Sequence, residues 1–328
     1  MKKSRKLWML PLVLLAFGAM RMPFERQLLI ECRQARLIPR QMEVDTRDRI
    51  GQTFWLVSLG GMRTLVATFV NLHAHVCFEQ QRWLDLKSSY EVIADLAPHT
   101  RYYWETGAWH MAYNAASYYL YHSDLHASRR RELWRAAIHD GRDFLERGIR
   151  NNPQDGKLHA NLASLLRDPN KLPAFEDRDQ TLLESSAAFA RSASLGGRNP
   201  LRMKRFSFYT LAQVPGYEPQ ALELGRRLYA ADARHHTPTL LVLLYVLENQ
   251  ANPQLDAEAL ALEIFGDAER AYRALKLHWL RNGRGYPVDG VAEGLVLLES
   301  RLGIPDSESV LKQEPDAPSE VEDWFETR

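Results

Sequence analysis

Residues Gly60 to Pro98 read GGMRTLVATFVNLHAHVCFEQQRWLDLKSSYEVIADLAP. Leu59, Met62, Val66, Phe69, His73 and Val76 recur three or four residues apart, which predicts a helix with one buried stripe. The polar break Glu79-Gln80-Gln81-Arg82 follows. A second helix then carries Trp83, Leu86, Tyr90, Ile93 and Leu96 and stops at Pro98, which cannot continue it. Two helices folded back in this way leave an apolar flank uncovered, so the hairpin needs neighbours of its own kind.

The rest of the chain supplies them. Tyr103-Trp104-Glu105-Thr106-Gly107-Ala108-Trp109 opens a helix running on through Met111, Ala112, Ala115 and Tyr118, with a break at His122-Ser123-Asp124. A charged helix from Arg129 then reaches Gly148 and Ile149, with Pro153 behind it. Asn161-Leu162-Ala163 and Ser186 to Ala190 form the next pair around a loop at 167–173, ending at Gly196-Gly197. Further helices are expected over Leu201 to Gln213, Gln220 to Ala231, Thr237 to Glu248, Ala257 to Phe265, Ala268 to Leu280 and Val291 to Leu302. Thr237 to Glu248 is apolar nearly all round and should be deeply buried. The expected fold class is all-α.

The first hairpin resembles a tetratricopeptide repeat, whose period is about 34 residues. Ala74, Trp83, Tyr90, Ala94 and Pro98 stand at its small, aromatic and terminal-proline positions, Gly107 and Ala163 take the small-residue role in the next two units, and Phe189 is an aromatic of the third. The pattern departs at Gln81, where glycine is common, and at Leu86, where alanine is. Pro98 and Pro153 are 55 residues apart, which exceeds one period and implies longer helices or an insertion. Gly60 to Arg63 and Gly107 to Asn114 are also similar to segments of membrane-anchored bacterial repeat proteins. The resemblance implies an α-α superhelical solenoid with an N-terminal anchor helix and no catalytic residue.

Composition bounds the remaining classes. The 328 residues are 45% hydrophobic and 25% charged, ordinary globular values, and the net charge of +1 argues against a broad basic nucleic-acid surface. Cys32 and Cys77 are too few for a disulfide scaffold or a four-thiolate zinc site. Lys2, Lys3, Arg5 and Lys6 precede an uncharged apolar run from Leu7 to Met20, the layout of a signal anchor or a cleaved signal peptide. Residues 21–49 read as a basic linker containing a short helix, 50–305 as the repeat domain, and 306–328 as an acidic disordered tail. With either leader the repeat domain is expected in the periplasm, on the inner membrane or released from it.

No catalytic constellation emerges. His73 and His75 lie on different helical faces, and Gly283-Arg284-Gly285 lacks the strand, glycines and lysine of a phosphate loop. His122, Asp124 and His126 share a loop without a further firm ligand, so no metal and no cofactor is expected. The same loop carries the rival expectation of a metal-dependent hydrolase; a self-assembling structural subunit is a third. The leading expectation is a non-catalytic scaffold. In tetratricopeptide repeats the first helix of each pair lines a peptide-binding groove, and the corresponding residues here are Tyr103, His110, Asn114, Ser117 and Asn161, facing an unidentified protein or peptide partner.

Overall fold

The computed structural model describes Gln27 and residues 62–197, 199–281 and 285–313. The apolar leader, the linker helix and the acidic segment from residue 314 lie outside the described residues. Twelve α-helices and no strand occur among those described, so the protein is all-α. No described helix is long and apolar enough to cross a membrane.

We number the helices α1 (Arg63–Glu79), α2 (Trp83–Leu96) and α3 (Arg101–Trp109, continuing through π-helical turns His110–Ala115 and Tyr118–His122). Next come α4 (Ala127–Asn151), α5 (Gly156–Leu166), α6 (Arg178–Ser194), α7 (Pro200–Leu211) and α8 (Glu218–Ala231). The last four are α9 (Pro238–Ala251), α10 (Ala257–Phe265), α11 (Ala268–Leu280) and α12 (Val291–Leu302). Every helix expected within the described residues is present. Their starts follow local chemistry: Asp155, Asp177, Asn199, Asp256 and Asp267 each accept a backbone N–H from the first turn of the helix they precede.

The chain divides into two compact units, residues 1–76 with 88–98, and residues 77–87 with 99–328. In the first, α1 buries Val66, Ala67 and Ala74, and α2 buries Tyr90, Ile93, Ala94 and Leu96. The expected stripe is therefore only partly right. Met62, Phe69 and Val76 face outward with Leu65 and Leu72, Phe69 being 62% exposed. The helix is apolar on two faces, and the inward one is the face with small residues, which let a neighbouring backbone come close. Leu59 lies outside the described residues.

The second unit opens with the turn joining α1 to α2, where Gln81 N–H bonds the Phe78 carbonyl and Arg82 N–H the Cys77 carbonyl. Gln81 adopts φ 56°, the left-handed conformation that explains why glycine is usual there. From α3 onward each helix contacts the next, and α3–α5, α7–α9, α9–α11 and α10–α12 also touch. Close approach is built in. A Cβ on Gly141 would lie 2.6 Å from Ala112 Cβ, and one on Gly148 would lie 2.9 Å from the Trp104 ring. The core expected for α3 is present: Trp104, Ala108, Met111 and Ala115 are buried, as are Gly107, Ala163 and Phe189. Helix α9 buries Leu240 and Val242 through Leu247 on every side.

At the far end the expected tail boundary moves. Residues 306–313 are not loose: Asp306–Glu308 and Val310–Lys312 form 3₁₀ turns. Val310 is buried and donates its N–H to Glu299 Oε1 at 2.9 Å. Leu311 packs beside Val310 on the core, and Lys312 pairs with Asp306 across the segment.

Candidate functional site

Between α3 and α5 lies a cleft of about 420 Å³, floored by Leu145 of α4. Glu105, Trp109 and Tyr113 line it from α3, and Asn161 and Ser164 from α5. Trp109 stacks on Tyr113 with ring centroids 4.3 Å apart and planes at 17°, yet the indole is 54% exposed. The pair occurs where α3 turns π-helical, a local widening frequent at functional sites.

Polar groups brace the rings. Asp168 accepts a hydrogen bond from the Tyr113 hydroxyl, and burial together with this carboxylate pushes the phenol pKa up. Lys171, almost wholly buried, places Nζ 5.3 Å over the Tyr113 ring, and burial lowers its pKa. On the opposite wall Asn161 Nδ2 donates to Glu105 Oε1 at 3.1 Å. Arg101 bridges Glu105 at 3.4 Å and Asp155, the cap of α5, at 3.1 Å. The result is a fixed surface of one stacked aromatic pair, one carboxylate and one amide.

The residues selected from sequence do not stay together. Asn161 lines the cleft. Tyr103 is 8% exposed and packs edge-on to Tyr102. His110 Nδ1 and Asn114 Nδ2 lie 2.9 Å apart, the His110 ring is 4.7 Å from Phe78, and neither lines the cleft. Ser117 is half-buried, also away from it. Tyr103, His110 and Asn114 lie on a different face of α3 from the one that borders the cleft. Trp109 and Tyr113 were missed, although aromatics four residues apart on a helix are a recognisable pair.

The histidine loop serves structure. His126 caps α4, its Nδ1 accepting the Ser128 N–H at 3.4 Å, while His122 is exposed. Among the described residues no group of three or more His, Cys, Asp or Glu is placed to hold a metal ion. His235, expected only at a helix start, is 1% exposed in the turn before α9, and burial lowers its pKa.

A larger cavity of about 1090 Å³ lies among α8, the end of α9 and the start of α12. Its carboxylates are Glu218, Glu223, Asp289 and Glu293, and its one lining cation is Arg226. Several of these are already engaged by the protein. Arg226 Nε pairs with Glu248 at 2.6 Å, Asp289 accepts from Gln250 Nε2 at 2.7 Å, and Glu218 accepts from Gly216 N–H at 2.9 Å. No aromatic ring lines it.

Fold and cleft together define an all-helical protein with a surface aromatic site between neighbouring helices. No protein-family model, curated protein or solved structure matches the chain.

Proposed function

We propose that the protein is a non-catalytic, tetratricopeptide-like helical-repeat scaffold that binds an extended segment of another protein in the cleft between α3 and α5. The observation that carries this reading is Trp109, a large aromatic held rigidly by Tyr113 but left more than half exposed beside a paired amide and carboxylate. Buried polar support with an exposed ring is the composition of a binding anchor. The amide of Asn161 has further donor and acceptor capacity for a peptide backbone. The reading includes a bacterial inner-membrane anchor at residues 7–20 with residues 50–305 in the periplasm, supported by the basic-then-apolar leader.

The test is a photo-crosslinking amino acid at Ser164 of the full chain in native membranes, with Leu277 as an exposed control site. A partner should be captured from Ser164, not from Leu277, and lost with Trp109→Leu. Equal capture from both positions would remove the binding role from this cleft. Membrane fractionation of the full chain and of a chain lacking residues 1–20 tests the anchor: the first should sediment with membranes and the second should not.

A further inference from the structure

We infer that the α3–α5 cleft takes an arginine-bearing, cationic segment of its partner; the inference rests on the groove reading above and names its chemistry. Among the described residues the cleft lining holds the carboxylate of Glu105 and no lysine or arginine. Cations close by are already paired or buried. Arg101 divides itself between Glu105 and Asp155, and Lys171 is buried over the Tyr113 ring beside Asp168. Among the described residues Asn161 and Arg101 both engage Glu105 Oε1, which leaves Oε2 for a ligand.

The rings point the same way. An aromatic face carries negative charge density and attracts cations. Tyr113 already has such a cation in Lys171, whereas among the described residues no guanidinium or ammonium lies over Trp109. A planar guanidinium can stack on the indole and present its N–H fork to the carboxylate, which an ammonium does less well. A ligand carboxylate would meet Glu105 and the ring face, both repulsive. Acidic partners are therefore disfavoured.

The experiment uses the full chain in detergent micelles and four labelled eight-residue glycine–serine peptides. They carry at their centre arginine, its uncharged isostere citrulline, lysine or glutamate, and binding is read by fluorescence anisotropy. Arginine should bind about tenfold more tightly than citrulline, lysine should fall between them, and glutamate should bind least. Glu105→Gln should lower affinity for the arginine peptide about tenfold while leaving citrulline unchanged. Trp109→Leu should weaken both, with unaltered circular dichroism confirming that each variant folds. Equal binding of arginine and citrulline, preference for glutamate, or no binding by any of the four at millimolar peptide overturns the cationic inference. Crosslinking from Ser164 decides separately whether the groove reading survives. An arginine preference indifferent to Trp109→Leu and Glu105→Gln but abolished by Glu293→Gln would move the site to the larger cavity and overturn the assignment made here.

Discussion

Helices α3 to α6 and helices α8 to α12 both use glycines for close approach, Gly141 and Gly148 in one and Gly225 and Gly294 in the other, but only the later set is built around a single buried helix. In the earlier region small residues admit backbones, with Gly141 against Ala112 and Gly148 against the Trp104 ring. Buried hydroxyls bond across helices there too: Ser185 Oγ donates to the Ala163 carbonyl at 2.7 Å and Ser192 Oγ to the Gly156 carbonyl at 2.6 Å. In the later region one apolar helix, α9, is surrounded, and Leu243, Tyr245 and Leu247 join Phe265, Leu275 and Leu295 in a single cluster. The earlier region buries Trp104 and Trp134 but leaves Trp109 at the surface. A core organised around one buried helix draws its large side chains inward, and the cavity beside it is lined without aromatics.

The comparison can be broken by substitution. Leu243→Ala removes fully buried atoms from the later core and should cost about 3–4 kcal/mol in urea denaturation, the largest effect expected. A cost under about 1 kcal/mol would show that α9 is not the organising element. Gly148→Leu adds atoms where a Cβ alone already crowds Trp104, and should cost about 2–3 kcal/mol. Neutral behaviour would show that the α3–α4 contact is looser than the packing implies.

Acidification sharpens the contrast. His235 and His278, both within the later region, have pKa values lowered by burial from the ordinary histidine value of 6.5, and so does His159 in the earlier one. Above that value both folded and unfolded chains are neutral at these sites and stability is full. As pH falls below it the unfolded chain takes up protons first, so folding stability should decline. Denaturation midpoints at successive pH values should drop on acidification, and less steeply in a chain carrying His235→Gln and His278→Gln. An unchanged slope would remove these two groups from the acid response. The smallest effect is a gain. Gln81→Gly relieves a left-handed backbone while adding unfolded-state freedom, and should raise thermal stability by at most about 1 kcal/mol.

Much of this was readable in advance. Periodicity located every described helix, the burial of α9, Trp104 and Tyr90 followed from composition and spacing, and the resemblance to a repeat pointed to Ala74 and Phe189. Departure from the repeat pattern at Gln81 marked the residue that now carries positive φ. The cleft was less legible. Of five expected partner-facing residues only Asn161 lines it, because Tyr103, His110 and Asn114 lie on another face of α3 from Glu105, Trp109 and Tyr113, and spacing alone does not say which face borders a cleft.

By itself, the order of apolar and polar residues determined that the described chain would be helical and roughly where its helices lie, since caps, prolines and periodicity act over a few neighbouring residues. Tertiary structure alone decided which of two apolar faces of α1 turned inward, and which aromatic of α3 stayed outside. Those choices depend on how closely another backbone can approach, and on the helical pitch once it has, neither of which is written in any one segment.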